Sequence, residues 1–313
     1  LFVTLSFFYS QNTPTNVELD QPIQIVFKEV PESPMDFWVV VHEGIQEAAR
    51  EFGVEVEISG PDHENQIDRQ IEVLSSVIEK GPPLIILAAS DYVRLNGLIQ
   101  RADEKGIPVI TIDSGVSSEI PVSFVATDNI AAGKKAGKEM ARLLEGNPHT
   151  SIAIVSHMRE TATGIEREEG VRQALQQHNI IGAWYCDVEK EKAYNITMNL
   201  LKNPDLGGIV ALNEEVTLGV AEAVKEKNMQ DEVLIVGFDN ASGEMAFLEE
   251  GILKATVVQR PYNMGYLAVK TAVQYLSGKS VSDFYDTGSI LITRENMFKR
   301  EYQELLFPFG EEP

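Results

Sequence analysis

The sequence predicts an α/β fold of two lobes, each a doubly wound parallel sheet, on three observations. The chain has 313 residues, 43% of them apolar; that is too long for one ordinary core and ample for two lobes of about 130 to 150 residues. From Ile23 onward, short β-rich apolar runs alternate with stretches of helical periodicity, the pattern of repeated βαβ units. Several of the strand runs are apolar without a break, as strands buried on both faces of a parallel sheet are.

The first series opens with a strand at Ile23 to Phe27. A helix follows whose apolar face takes Trp38, Val41, Ile45, Ala48, Ala49 and Phe52, with Gly53 as its stop. Strand Val54 to Ile58 leads to a helix on Ile67, Ile71, Leu74 and Ile78, ended by Gly81-Pro82. Strand Leu84 to Ala88, a helix over Leu95, Leu98, Ile99 and Ala102, and strand Val109 to Ile112 complete the series. The second series starts after Asp128 with a helix near Ala131 to Leu144, whose small residues Ala132, Gly133, Ala136 and Gly137 predict close packing. Strand Ile152 to Val155, a helix around Glu166 to Gln177, strand Ile180 to Tyr185 and a helix using Ile196, Leu200 and Leu201 come next. Strand Gly208 to Leu212, helix Val216 to Lys227 and strand Val233 to Phe238 end it. The run Ile252 to Val258, a helix from Pro261 to Leu276 and strand Ser289 to Ile292 are left to be shared between the lobes. Open parallel sheets carry crevices at the C-terminal ends of their strands, so two such lobes face each other across an interdomain cleft.

Composition excludes several function classes. The formal net charge is -22, which opposes attraction to phosphate backbones or anionic lipid, so no nucleic-acid partner is expected. A single cysteine, Cys186, rules out an intrachain disulfide and leaves a cysteine zinc site unsupported. There is no Gly-x-Gly-x-x-Gly after a strand, no complete Walker motif, no Gly-x-Ser-x-Gly elbow and no His-Glu-x-x-His. The histidines (His42, His63, His149, His157, His178) are scattered, and no metal or cofactor is expected. Asp62 to Asp68 is spaced faintly like a calcium loop, but Ile67 stands where that loop needs glycine, so a solvated loop is expected.

Polar residues close successive apolar strands. Asp113 follows Val109 to Ile112, Asn213 follows Gly208 to Leu212, Asp239 follows Val233 to Phe238, and Gln259 follows Ala255 to Val258. Each type also caps helices or closes turns. Their recurrence at one end of successive strands points instead to a shared crevice.

Five strings stand in order across residues 22–292: Thr111-Ile112-Asp113, Phe124-Val125-Ala126-Thr127-Asp128-Asn129, Asn213-Glu214-Glu215, Val236-Gly237-Phe238-Asp239 and Ala255-Thr256-Val257-Val258-Gln259. This ordered set resembles the ribose-binding class of periplasmic binding proteins, the type I sugar-binding fold. The resemblance implies that Asp113 accepts hydrogen bonds from ligand hydroxyls in the first lobe, and that Asn213 and Asp239 bind the ligand from the second. Gln259 is implied to reach the ligand from a hinge crossing, and Phe37 and Trp38 to sandwich a sugar ring, unless both belong to the helix core. Carboxylates suit this role because they accept short, strong hydrogen bonds from hydroxyls. The departures point away from ribose: Ser114 replaces an arginine beside Asp113, Ile165 replaces a second-lobe arginine, and Val188 replaces a third aromatic. Arg167 is left with either a ligand or a scaffold role, and Lys28, at the end of the first strand, supplies a cation.

The resemblance further implies lobes of residues 22–127 plus 260–287 and 128–259 plus 288–306, with a tail at 307–313. Three hinge crossings near Thr127, Gln259 and Thr287 join them. The expected function is an extracytoplasmic binding protein, a monomer on its own, that closes on a monosaccharide or polyol without altering it. A membrane partner, an ABC import permease or a sensor kinase, then reads the closed form. Residues 1–21 begin with the apolar run Leu1 to Tyr9, too short to cross a bilayer, which needs about 20 residues as a helix. They are read as an anchor remnant and tether on the outer face, which favours the sensor partner, or else as a buried strand. Two other classes share parts of this pattern. A sugar-responsive transcription regulator shares this core but needs a DNA-binding module, and a glycoside-acting enzyme would use Asp113 and Asp239 as acid and base.

Overall fold

A computed structural model of the chain describes residues 19–30, 37–147 and 150–307. In chain order the first half holds β1 (Ile23–Val26), α1 (Phe37–Phe52), β2 (Val56–Ser59), α2 (Ile67–Lys80), β3 (Ile85–Leu87), α3 (Asn96–Glu104), β4 (Val109–Ile112) and β5 (Ser123–Ala126). Then follow α4 (Asn129–Leu143), β6 (Ser151–Ser156), α5 (Ala162–Ala174), β7 (Asn179–Tyr185), α6 (Lys190–Leu200), β8 (Leu206–Ala211), α7 (Glu214–Glu226), β9 (Leu234–Phe238), α8 (Ser242–Glu249) and β10 (Ala255–Val258). The chain ends with α9 (Pro261–Leu276), β11 (Phe284–Asp286), β12 (Ile290–Thr293) and α10 (Arg300–Leu306).

The strands form two six-stranded sheets, ordered β11-β5-β4-β3-β1-β2 and β12-β10-β9-β8-β6-β7. Each order reverses once, between β1 and β3 in the first sheet and between β6 and β8 in the second. Such a switch point opens a crevice beyond the strand ends. The pairings are parallel except that β12, an edge strand of the second sheet, runs antiparallel to β10. The chain crosses between sheets three times, from β5 to α4, from β10 to α9 and from β11 to β12. Two crossings are tied side by side: Thr287 N donates to Ala126 O at 2.9 Å, and Asp128 N to Asp286 Oδ1 at 3.0 Å.

Each lobe contains a helix pair in backbone contact around paired glycines. In the first, α1 crosses α9 at Gly44 and Gly265, where added methyl groups would lie 2.1 Å from Tyr262 O and 2.0 Å from Val41 O. In the second, α4 crosses α5 at Gly133 and Gly170, with the same methyls 2.2 Å from Arg167 O and 2.2 Å from Ile130 O. The close packing expected of the small residues in α4 is therefore present. The elements β5, β11, α8 and α10 were not anticipated. The first eighteen residues of the expected anchor and tether, His149, and 308–313 of the expected tail lie outside the described residues; no described helix is long and apolar enough to cross a membrane.

Because no side chain separates α1 from α9 at Gly44, Gly44→Ala is expected to lower stability by about 1–3 kcal/mol through forced separation of the helices. Urea unfolding of the two proteins measures this, and an unchanged midpoint would mean the helices tolerate a wider spacing.

Candidate functional site

The two aspartates at the strand ends sit in the same unusual backbone. Asp113 and Asp239 have φ of 60° and 78°, a left-handed conformation that aspartate and asparagine tolerate better than most residues. In both, the N–H still extends the sheet ladder, Asp113 N to Val125 O at 3.1 Å and Asp239 N to Val257 O at 3.0 Å. The ladder fixes each backbone, and the positive φ sets the direction of a side chain that reaches the cleft wall.

In the first lobe Lys28, just past β1, is buried between two carboxylates, with Nζ 2.9 Å from Asp113 Oδ2 and 3.0 Å from Glu64 Oε1. Burial opposes its charge, but Asp113 and Glu64 together outweigh that effect and hold the Lys28 pKa above the ordinary lysine value. Behind it, the Gln70 amide pins the strand ends, donating to Phe27 O and Ala88 O and accepting from Ser90 N. Trp38 packs on Phe27 at a centroid distance of 4.7 Å and meets Phe37 edge-on at 5.1 Å. Both Phe37 and Trp38 line the cleft, and Trp38 belongs to the core as well.

In the second lobe the Arg167 guanidinium donates to Asn129 Oδ1 at 2.9 Å and Leu212 O at 2.8 Å, and lies 4.7 Å over the Phe238 ring. Two of its five N–H donors are thus spent on the scaffold, and the side chain still reaches the cavity wall. Asn213 caps α7 through Oδ1, which accepts from Val216 N at 3.1 Å, leaving its amide NH2 as the group to offer. Asp239 Oδ1 accepts from Gln259 Nε2 at 2.8 Å. Burial raises the Asp239 pKa above the ordinary carboxyl value, with Arg167 and Gln259 pulling the other way. His157, directly after β6, is fully buried, and its pKa is held well below the ordinary histidine value by burial, then by Lys28 and Arg167.

These groups enclose a cavity of about 110 Å³, against the roughly 10–15 Å³ that a single water needs on the same measure. The lobes touch beside it: Tyr92 N donates to Glu160 O at 2.7 Å, and Asn65 Nδ2 to Asp187 O at 3.3 Å. Lys28, Phe37, Trp38, Asp113, Arg167, Asn213, Asp239 and Gln259 all stand on the cavity wall. Ser114 does not: it is fully buried next to Asp113, its backbone bonded to Ile112 and Ala89. Ile165, where an arginine was missed, is 45% exposed and away from the wall. The solvated-loop expectation for Asp62 to Asp68 fails at Glu64, which Lys28 draws into the interior. His157 and Thr163 are also on the wall and were not anticipated. The strand-end rule, applied to β6, would have found His157.

A family model described as the periplasmic binding protein domain matches residues 30–280. The chain belongs to this family. One relative is the ribose import binding protein of Haemophilus influenzae, 32% identical over 248 residues that cover 78% of this chain and 83% of that one. The D-allose-binding periplasmic protein of Escherichia coli is 28% identical over 275 residues, 82% of this chain and 88% of its own. Among solved structures, a carbohydrate transporter solute binding protein from Agrobacterium radiobacter in complex with D-arabinose matches with a TM-score of 0.86 at 28% identity, covering 92% of this chain and 99% of that one. An ABC transporter solute binding protein from Agrobacterium vitis with bound D-fucose matches with a TM-score of 0.86 at 31% identity, covering 91% and 100%. The two-lobed α/β architecture is that of the type I periplasmic binding proteins.

The carboxylates of Asp113 and Glu64 flank one ammonium. Lys28→Met is therefore expected to cost about 3–5 kcal/mol by leaving them buried without a cation. The loss is read from urea unfolding of the two proteins, and an unchanged midpoint would argue against the cage.

Proposed function

We propose that this protein is an extracytoplasmic solute-binding protein that closes on a neutral monosaccharide or polyol and presents it to a membrane partner. The observation that carries the reading is the convergence of Asp113 and Lys28 from one lobe with Arg167, Asn213 and Asp239 from the other on a single small cavity. Carboxylates accept from ligand hydroxyls, while ammonium, guanidinium and amide groups donate to ligand oxygens. Phe37 and Trp38 offer apolar surface to the C–H face of a ring. The charge balance favours a neutral guest: Lys28 is matched by Asp113 and Glu64, and Arg167 acts on Asp239, so a phosphate or carboxylate would meet no surplus cation. Relatives named for ribose, allose, arabinose and fucose support the sugar class.

The lobes are taken as residues 22–127 plus 260–287 and 128–259 plus 288–306, hinged at the three crossings. A ligand that touches both favours the closed state by its differential affinity for that state. Relatives named as import binding proteins and transporter components favour an ABC import permease as the partner. The sensor-kinase alternative rested on the apolar residues at the N-terminus and gains no support from these names. A hydrolytic reading of Asp113 and Asp239 is disfavoured because Asp113 is held by Lys28 and Asp239 by Gln259, commitments that suit hydroxyl recognition better than proton transfer.

The test is thermal-shift screening against D-ribose, D-allose, D-arabinose, D-fucose and acyclic polyols. A ligand at 100 times its Kd is expected to stabilise by about 2.7 kcal/mol, and the shift should vanish in Asp113→Ala and in Asp239→Ala. A screen in which no sugar or polyol shifts the wild type would refute the proposal, as would a chemically altered ligand recovered after long incubation.

A further inference from the structure

We infer that the cavity between Asp113 and Asp239 is one half of a longer site. A second cavity beside it takes a further sugar ring joined to the first, so the protein binds disaccharides of its monosaccharide as well as the monosaccharide itself. The inference rests on the reading of the cleft as a sugar or polyol site and extends it to the size of the guest.

The second cavity measures about 320 Å³, against about 110 Å³ for the first on the same measure. It lies along the crossing from β10 to α9, with Arg260, Pro261 and Tyr262 on its wall. The two cavities share three wall residues, Phe37, Glu214 and Asp239. The partition is therefore made of side chains from opposite lobes: Phe37 opens α1 in the first, while Glu214 opens α7 and Asp239 follows closely on β9 in the second. A partition built this way parts when the lobes part. A guest laid in the open cleft can then carry a ring on either side, with the link passing between Phe37 and Glu214 as the lobes close.

The lining suits a second hydroxylated ring. Val40, Pro261 and Leu305 offer apolar surface, and the Tyr262 ring is 43% exposed beside them; a sugar has apolar C–H faces to set against such groups. Its polar edges find donors and an acceptor. Asn240 spends its NH2 on Leu305 O at 3.2 Å and Leu306 O at 3.3 Å, and keeps Oδ1 to accept from a hydroxyl. Among the described residues the Arg260 guanidinium makes no ion pair and no side-chain hydrogen bond, so its donors are open to ring and hydroxyl oxygens. Glu214, Asp239 and Glu301 stand on the same wall. Three carboxylates against one guanidinium disfavour a phosphate or carboxylate substituent, and a wholly apolar one would leave these polar groups unpaired.

Calorimetric titration tests the proposal. The guests are the best binder among D-ribose, D-allose, D-arabinose and D-fucose, and the disaccharides that join it to D-glucose through each of its oxygens in turn. At least one disaccharide is expected to bind within ten-fold of the parent sugar or more tightly; a loss greater than ten-fold for every one of them would overturn the inference and leave the sugar-binding reading intact. Tyr262→Ala and Arg260→Ala, both outside the first cavity and checked for folding by thermal melting, are expected to weaken that disaccharide by roughly two- to ten-fold each. The parent sugar should be unaffected by either. Equal losses for both guests, or no loss for either, would also overturn the second site. Failure of the wild type to bind any of these sugars would instead count against the reading of the cleft itself, and the second site would fall with it.

Discussion

In a parallel sheet the chain leaves every strand at the same edge, so whatever a parallel lobe offers a ligand must be built from the first residues beyond that edge. At β4 and β9 the exit is made by an aspartate in left-handed backbone. Holding a non-glycine residue there costs of order 1–3 kcal/mol, somewhat less for aspartate, whose short side chain tolerates the region. The ladder bonds from Asp113 N to Val125 O and from Asp239 N to Val257 O hold each backbone in place. Both lobes use the same device, and the cleft has one such aspartate on each side because the two sheets share one strand order.

The remaining wall residues are held by groups that also hold the fold. Asn213 is a helix cap, Gln259 braces Asp239, Arg167 ties α5 to α4 and to the end of β8, and Lys28 is caged by Asp113 and Glu64. Cap or ligand, scaffold or ligand, were posed as alternatives from the sequence, yet the geometry allows each of these residues both. Asn213 spends its oxygen on α7 and keeps its NH2, and Arg167 spends two N–H groups and keeps the rest. Side chains fixed in this way lose little further freedom on binding, which removes one of the main costs of association.

Much of this was legible in the sequence because parallel strands are apolar throughout and their ends are polar. The helices with wide apolar faces, such as α1 and α9, were anticipated for the same reason. β11 was not, since Phe284-Tyr285-Asp286 is a three-residue edge strand with no apolar run, and α8 buries few apolar residues. The antiparallel course of β12 has no signature either, because side-chain alternation is the same for both directions. In the site, Asp113, Asn213, Asp239 and Gln259 announce themselves locally by closing strands. Glu64 does not: it is placed by a lysine 36 positions upstream, and its own loop reads as solvated. His157 was visible in principle as the residue that ends β6, but a lone histidine among five scattered ones gave no reason to look.

Closure is then a question of magnitudes. Direct bonds between the lobes include Tyr92 N to Glu160 O and Asn65 Nδ2 to Asp187 O, the latter exposed. Hydrogen bonds of this kind contribute about 0.5–1.5 kcal/mol each. Moving a two-state equilibrium from 1:99 to 99:1 takes a differential affinity of about 5.5 kcal/mol, the equivalent of roughly four to eleven such bonds made only when the lobes meet. A guest held first by Asp113 and Lys28 would gain Arg167, Asn213 and Asp239 on closing. A wall divided between the lobes lets those contacts form only in the closed state, which is what a differential affinity requires.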